Sequence, residues 1–257
     1  MKDKSNFDKN FLSGKNILIT GSTKGIGKQI ALGLSSYGAN IILHGRNEDA
    51  LDAIYDEVSN KYKTNPKIIK CDLNELNENK AQEFANAIIE SYECLDGVIH
   101  NAAIIGKMSS ISDYDYETWQ QVLNINITSS YLLTKYLFPL MERSSNPRII
   151  FTSSGVAEKG RAFWGAYAVS KAAVKSLAEI LQEELEPISK IKVFNFDPGK
   201  TKTSMRAFAY PAEDPGSLKD AAMLLNDYLW MLSEESNNSN IRSVSYTHLT
   251  LPTIYSV

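Results

Sequence analysis

The 257-residue sequence has few of the residues that mark several common classes of protein. It contains only two cysteines and three histidines. Cys71 and Cys94 have no metal-ligand spacing, suit a reducing compartment, and are interpreted as packing residues. His44, His100 and His248 are too scattered along the chain to form a metal site. No bound metal is therefore predicted.

The chain also lacks any long hydrophobic run and any block of one charge. No apolar stretch approaches the about 18 residues of a membrane span, and the opening MKDKSNFDKNF is charged, unlike a signal peptide. The 27 basic and 30 acidic residues are interspersed and give a formal net charge of −3. No basic stripe points to nucleic acid or to an anionic membrane surface. We expect one cytoplasmic domain with neither kind of partner.

What is present is an alternation of strand-like and helical patterns. The strand-like runs begin at Asn16, Asn40, Lys67, Leu95, Arg148 and Ile191. This alternation predicts parallel βαβ units in an α/β fold, a single doubly wound Rossmann-type domain with a mostly parallel sheet flanked by helices. The helical patterns at residues 115–141 and 162–186 carry more apolar surface than one sheet face needs.

A glycine-rich turn joins the first strand to the first helix. The segment reads TGSTKGIG from Thr20. Gly21 permits a tight turn, Gly25 lets the backbone approach a pyrophosphate, and Gly27 allows close packing of the helix on the strand. The helix N-terminus adds free N–H groups and positive dipole. The segment predicts a dinucleotide phosphate site, with an ordinary βα turn as the alternative.

The residues after the second strand indicate which dinucleotide is preferred. The segment reads His44-Gly45-Arg46-Asn47 and lacks the carboxylate that would accept hydrogen bonds from a ribose 2′-hydroxyl. Arg46 offers a planar fork for a 2′-phosphate, and Lys24 can add a second positive charge. The sequence therefore predicts NADP(H) in preference to NAD(H). The alternative is that both side chains are solvated surface cations.

A serine, a tyrosine and a lysine form the pattern of an oxidoreductase active site. Ser154 follows a strand-like run, so its hydroxyl can point into a cleft and hold a substrate oxygen. Tyr167 and Lys171 stand four residues apart in a helix-compatible segment and share a helix face. An adjacent ammonium favours tyrosinate and is expected to lower the phenol pKa from about 10 toward working pH.

A second Tyr-x-x-x-Lys pair has the same spacing. Tyr131 and Lys135 lie inside a long helical pattern with no strand-then-serine unit before them. They are interpreted as part of one solvated helix face. Because chance supplies such a pair, the case for Tyr167 depends on its neighbours.

Six motifs in order resemble the classical short-chain dehydrogenase/reductase family. They are TGSTKGIG, CDL at residues 71–73, HNAA at residues 100–103, NIN ending in Asn126, the set Ser154, Tyr167 and Lys171, and DPGKTKT at residues 197–203. The match runs from about residue 13 to about residue 239. The segments GRAFWGAYAVSK, LDGVIHNAA and TSMRAFAYPAEDP are similar to a bacterial branch of the family, the YciK-type oxidoreductases. That similarity supplies no substrate.

The resemblance implies hydride transfer between nicotinamide C4 and the carbon of a small carbonyl or alcohol substrate. Tyr167 would be the general acid and base. Lys171 would bind the nicotinamide ribose and lower the Tyr167 pKa, and Ser154 would donate a hydrogen bond to the developing alkoxide. Asn126 would anchor a water relay to Lys171, with a capping or ladder role as the alternative. A 3-oxoacyl thioester (acyl carrier protein) reductase and a non-catalytic NADP-binding regulatory protein remain alternative functions.

The resemblance also implies the cofactor contacts. Asp72 and Leu73 would meet adenine, although Asp72 could equally cap the following helix. Ala103 stands where the family usually has glycine. The predicted cofactor-binding residues are Gly21, Ser22, Lys24, Gly25, Ile26, Gly27, Arg46, Asn47, Asp72, Leu73, Asn101, Ala102, Ala103, Tyr167, Lys171, Pro198, Gly199, Thr201 and Thr203.

In the family that the sequence resembles, the helices that correspond to residues 115–141 and 162–186 form a dimer interface. The resemblance therefore implies a homodimer or homotetramer. Candidate interface residues are Trp119, Tyr131, Phe163 and Trp164, and core packing is the alternative role for each.

The last fourteen residues depart from the family pattern. VSYTHLTLPTIYSV looks like translated read-through of a transposon-type sequencing adapter, which predicts a natural domain at residues 1–243 and a non-native tail at residues 244–257. A Thr-Gly turn and a final core strand are expected here, so the seventh strand is predicted to be missing or replaced. The alternative is a genuine edge strand, because Val, Ile, Tyr and Thr favour strands.

Overall fold

The computed structural model describes residues 7–238 and 243–245. The strands of the described chain are β1 (Asn16–Ile19), β2 (Asn40–Gly45), β3 (Lys67–Lys70), β4 (Gly97–His100), β5 (Arg148–Thr152), β6 (Lys192–Asp197) and β7 (Ser243–Ser245). Its α-helices are α1 (Gly25–Ser35), α2 (Glu48–Lys61), α3 (Glu78–Ile89), α4 (Tyr116–Leu123), α5 (Ser129–Met141), α6 (Gly165–Leu185), α7 (Ser204–Ala209) and α8 (Leu225–Leu232).

These strands form one parallel sheet in the order β3-β2-β1-β4-β5-β6-β7. The order reverses at β1, where Ile17 pairs with Ile41 of β2 on one side and with Gly97 of β4 on the other. In a doubly wound sheet the carboxyl ends of the strands open a crevice at this reversal. The predicted Rossmann-type α/β fold is confirmed.

Apolar side chains on both faces of the sheet explain why each strand is an almost continuous hydrophobic run. Successive side chains of a strand point to opposite faces, so a doubly covered sheet needs apolar residues at both parities. One face carries Leu18, Val98, Ile149 and Val193, which pack with buried residues of α3, α5 and α6. The other face carries Ile17, Ile99, Ile150 and Phe194, which pack with buried residues of α1, α2 and α8.

The long helical pattern at residues 115–141 is continuous but not uniform. A π-helical turn, Asn124–Thr128, separates α4 from α5. Such turns widen the backbone locally and are frequent at functional sites. Here the turn contains Asn126, one of the predicted site residues. Sequence periodicity does not reveal the π-helical turn.

A short seventh strand is present, so of the two expected outcomes for this position, a missing strand or a replaced one, the first is wrong. β7 pairs with β6 through Asn195↔Ser243, Phe196↔Val244 and Asp197↔Ser245, and the Val244 side chain is buried among the apolar residues of its sheet face. Val244 and Ser245 belong to the tail predicted to be non-native, and residues 246–257 lie outside the described residues. Replacement of a natural final strand by this tail stays a prediction.

The second Tyr-x-x-x-Lys pair lies on the surface, as predicted. Tyr131 is about half exposed, and Lys135 makes an exposed ion pair with Glu78. Cys71 and Cys94 are partly buried free thiols. Within the described ranges, no helix has the length and apolar character needed to cross a membrane. No group of three or more potential metal ligands occurs among the same residues.

Candidate active site

The predicted serine, tyrosine and lysine lie together at the carboxyl end of β5. Ser154 follows β5, while Tyr167 and Lys171 occupy successive turns at the start of α6. Tyr167 is 7% exposed and Lys171 is 3% exposed, and the Ser154 side chain is near enough to the phenol to lower its pKa. The spacing of four residues brings the Lys171 ammonium to 5.7 Å from the centre of the Tyr167 ring. The phenol of Tyr167 and the ammonium of Lys171 are therefore close together and largely shielded from solvent.

The Lys171 ammonium is held by the backbone. Lys171 Nζ donates to the carbonyl oxygen of Thr152 at 2.7 Å. Burial lowers the pKa of Lys171 to about 8, and the negative charge of Asp197 opposes part of that effect. The lysine is therefore charged at neutral pH but close to its titration range.

The pKa of Tyr167 departs from the sequence-based expectation. The pKa of Tyr167 is raised to about 12, mainly by burial; the Ser154 side chain lowers it and the negative charge of Asp197 adds to the rise. The expected lowering by Lys171 is wrong for the protein alone, because desolvation of the phenol dominates. In this structure Tyr167 is a protonated phenol at neutral pH, which is the form of a proton donor.

Asn126 connects two walls of the site through its side chain. Its Oδ1 accepts from the Ile104 backbone N–H at 2.9 Å, and its Nδ2 donates to the Ile104 carbonyl and to Ser170 Oγ, both at 2.9 Å. Ser170 Oγ donates to the Tyr167 carbonyl at 2.8 Å. Asn126 thereby ties the segment after β4 to the second turn of α6. This is the structural role that was the alternative to a water relay, and the relay stays a prediction.

The glycine turn has the close packing that its sequence predicts. Gly21 and Gly25 have positive φ, and a Cβ at Gly27 would lie 2.3 Å from the Gly21 carbonyl oxygen and 2.6 Å from Asn101 Nδ2. No side chain fits at Gly27. The turn therefore brings the N-terminus of α1 against the end of β1, so the first N–H groups of the helix face the crevice.

Thr20 and Asn101 join the glycine turn to the end of β4. Thr20 Oγ1 accepts from the N–H groups of Asn101 and Ala102, both at 3.0 Å, and Asn101 Nδ2 donates to the carbonyls of Thr20 and Gly21 at 3.0 and 3.2 Å. Ala102 also lies in contact with Gly21, and Ala103 is partly exposed in the next position.

Sequence reasoning missed the buried imidazole beneath the glycine turn. His44 Nδ1 accepts from the Gly21 N–H at 3.2 Å, so Nε2 carries the proton and donates to the Cys71 carbonyl at 3.2 Å. The Ser22 hydroxyl pairs with the His44 backbone. Burial lowers the pKa of His44 to about 4, so the ring is neutral. A histidine in an otherwise apolar strand was the available signal, and it was considered only as a metal ligand.

The predicted 2′-phosphate and adenine residues lie after β2 and β3. Arg46 is 58% exposed, and its Nη1 lies 3.6 Å from Asp72 Oδ2. Asn47 and Asp72 both cap helical turns, through the N–H groups of Ala50 and Asn74. Capping was the stated alternative for Asp72.

Two further cofactor candidates differ in exposure. Lys24 precedes α1 and is exposed, whereas Leu73 is buried. The cations at this edge are therefore available to a ligand, while Leu73 belongs to the core.

The loop after β6 closes the other side of the crevice. Asp197 Oδ1 accepts from the Gly199 N–H at 2.8 Å, and Thr201 Oγ1 donates to the Pro198 carbonyl at 3.1 Å. Thr203 caps α7 and lies 3.6 Å from the position of a Cβ on Gly25. The loop therefore faces the glycine turn, with partly buried Ile26 at the start of α1. The predicted residues converge on the carboxyl edge of the sheet.

The comparisons with known proteins agree with this geometry. The sequence model of the short chain dehydrogenase family matches residues 15–214, and the chain belongs to that family of oxidoreductases. It is 37% identical over 225 residues to the uncharacterized oxidoreductase YciK of Escherichia coli (strain K12), a match that covers 88% of each chain.

The descriptions of two other relatives name a cofactor. A short chain dehydrogenase structure from Shigella flexneri 2a str. 301, complexed with NADP, is 35% identical with a TM-score of 0.89, and the match covers 93% of this chain and 98% of that one. The NADPH-dependent pterin aldehyde reductase of Arabidopsis thaliana is 28% identical over 222 residues, which cover 84% of this chain and 89% of that protein.

Proposed function

We propose that this oxidoreductase uses NADP(H) to exchange a hydride with a carbonyl or secondary alcohol carbon, with Tyr167 as the general acid and base. The observation that carries the proposal is the burial of Tyr167 beside Lys171, one helical turn away, with Ser154 acting on the phenol and the glycine turn at the same edge of the sheet. The combination provides a proton donor beside a place where a dinucleotide fits.

In the direction of reduction, bound NADPH supplies the hydride that reaches the carbonyl carbon. Tyr167 gives its phenolic proton to the carbonyl oxygen, so the C=O π pair becomes the O–H bond. Ser154 donates a hydrogen bond to the oxygen as negative charge develops there, an interaction of the kind whose removal costs about 3 kcal/mol in other enzymes. The phenolate regains a proton from solvent. Lys171 stabilises its negative charge.

The cofactor preference is argued from charge at the end of β2. Arg46 and Lys24 are exposed cations on the two loops that flank the predicted ribose position, and the ion pair that Arg46 makes among the described residues is a 3.6 Å contact with Asp72. A guanidinium suits bidentate binding of a phosphate. The NADP complex of the Shigella flexneri relative and the name of the Arabidopsis thaliana relative support the same choice.

We further propose that the protein forms a homodimer or homotetramer through α5 and α6. Three apolar side chains on these helices are about half exposed, namely Tyr131, Val169 and Ile180. Pairing of two copies would bury them. A cytoplasmic location is proposed with it, because both thiols are free.

The function is tested by following NADPH absorbance with ketones, aldehydes, a pterin aldehyde and a 3-oxoacyl thioester. Consumption of NADPH with a simple carbonyl supports the proposal. Consumption with the 3-oxoacyl thioester alone would replace it with the thioester reductase. Tight NADPH binding without turnover of any compound would favour the regulatory protein.

A further inference from the structure

Three segments bring apolar side chains to the phenol of Tyr167. Ile105 and Val156 are buried against it, and the segments that precede α6 and form α7 complete the cluster. The partly buried members are Met108, Trp164, Met205 and Ala209. The surroundings of the proposed proton donor are therefore mainly aliphatic and aromatic.

An aromatic row extends outward from the phenol. The centre of the Trp164 ring lies 5.6 Å from that of Tyr167 and 5.7 Å from that of Tyr210, at interplanar angles of 49° and 44°. Trp164 and Tyr210 are partly exposed, whereas Tyr167 is buried. The row thus begins at the buried ring of Tyr167 and ends at the partly exposed ring of Tyr210.

The turn that presents Trp164 is conformationally unusual. Phe163 is the only non-glycine residue with positive φ in the part of the chain that the structure describes, at 71°. The ring of Tyr114 packs so tightly on Gly165 that a Cβ there would lie 2.6 Å from it. A bulky residue in this backbone region is strained, and such strain is concentrated at functional sites. The turn fixes the indole over the phenol.

The outer end of the row is held by a charge pair. Arg206 Nε and Nη2 donate to the two carboxylate oxygens of Glu213 at 2.6 and 2.7 Å. The same guanidinium lies 3.8 Å from the centre of the Tyr210 ring. Arg206 is the one cation within α7, and Glu213 neutralises it. The cation of α7 is thus paired and the surface next to Tyr210 is aromatic, while the 73% exposed Lys200 before α7 lies 3.6 Å from the same Glu213 carboxylate.

From this geometry we propose that Trp164 and Tyr210 determine specificity and that the substrate is an uncharged carbonyl compound with an aromatic or conjugated group next to the carbonyl. The inference rests on the proposed function of Tyr167. A planar group on that carbonyl would reach the indole first, because the indole adjoins the phenol. Stacking on aromatic rings favours planar groups over saturated groups of equal size.

The test compares three methyl ketones with NADPH as reductant; the first two have the same number of non-hydrogen atoms, and the third adds a carboxylate. They are acetophenone, its saturated counterpart cyclohexyl methyl ketone, and its anionic derivative 4-acetylbenzoate. We expect kcat/KM for acetophenone to exceed each of the others by about 10-fold. Equal values, or a preference for the anion, would overturn the inference while leaving the function of Tyr167 intact.

Variants then test whether Trp164 and Tyr210 cause the preference for acetophenone. Trp164→Leu and Tyr210→Leu should raise KM for acetophenone about 5- to 10-fold, with kcat and NADPH affinity within about 2-fold of the parent. Tyr210→Phe keeps the ring and should retain the parental KM. Phe208→Leu is the matched control, because Phe208 is a 60% exposed aromatic residue of α7 outside the cluster. A similar increase in KM for Phe208→Leu would contradict the assignment.

A binding measurement separates this inference from the proposed function. Saturation-transfer NMR on the NADPH-loaded Tyr167→Phe variant should show contact of acetophenone with the protein and weaker contact of cyclohexyl methyl ketone. If this binding preference is found but the parent turns over none of the ketones, the result supports substrate binding by the aromatic row and contradicts the catalytic role of Tyr167. If neither ketone is preferred, the claim that the aromatic row determines specificity is wrong.

Discussion

The ammonium of Lys171 donates to the backbone carbonyl of Thr152 at 2.7 Å, so the start of α6 is fastened to the end of β5. The contact orients the lysine, no carboxylate of residues 7–238 forms an ion pair with it, and the Asp197 charge acts on it through space. A buried ammonium of this kind titrates near physiological pH. Its protonation therefore couples the site to pH.

Affinity for NADPH should decrease as pH rises through about 8. Lys171 is charged below its pKa of about 8 and loses its charge above it, and a neutral amine is a poorer partner for the ribose hydroxyls. Fluorescence titration from pH 6.5 to 9.5 should show a bend in log Kd near pH 8. The profile of Lys171→Met should be flatter and its affinity at pH 7 weaker. Equal slopes for the two proteins would contradict the assignment.

The same pKa shift has a consequence for stability. The folded-state pKa of about 8 lies below the unfolded value of about 10.5, so the unfolded chain holds the Lys171 proton more tightly between these values. The unfavourable contribution of the buried charge is fully present below pH 8 and disappears as pH rises to 10.5. The free energy of unfolding of Lys171→Met minus that of the parent should therefore be larger at pH 7 than at pH 10. A difference independent of pH would refute this.

Cofactor preference should depend on Arg46. Arg46→Ala is expected to lower kcat/KM for NADPH by about 10- to 100-fold and to leave that for NADH nearly unchanged, because only NADPH carries the 2′-phosphate. Lys63→Ala, at another exposed cation, is the control. A carboxylate at Gly45 is a poor choice of second change, since a Cβ there would lie 2.7 Å from Thr23 Cγ2. Equal losses of kcat/KM with NADPH and NADH would show that Arg46 does not bind the 2′-phosphate.

The imidazole of His44 should support the glycine turn. His44→Leu leaves the Gly21 N–H without its acceptor, which is expected to cost about 1–3 kcal/mol of folding stability and to weaken NADPH binding. His44→Gln offers a side-chain acceptor again and should recover part of the affinity. Thermal unfolding and NADPH titration measure the two effects. Unchanged NADPH affinity in His44→Leu would limit the histidine to a packing role.

The sequence predicted the parts of the site that local patterns specify. Gly27 and Tyr167 stand in motifs whose spacing already implies their neighbours, and the alternating strands predicted the sheet that brings them together. The pairing of His44 with Gly21 and of Arg206 with Glu213 depends on tertiary contacts that no spacing rule encodes. The direction of the Tyr167 pKa shift was predicted wrongly, because burial of the phenol cannot be read from a helix face.

The most direct test of the central claim is the turnover of Tyr167→Phe with NADPH and a ketone that the parent reduces. The variant keeps the aromatic ring and loses only the proton donor, so NADPH affinity should stay within about 2-fold of the parent. The rate should fall by about 10² to 10⁴. Retention of more than about half the parental rate would show that Tyr167 is not the general acid.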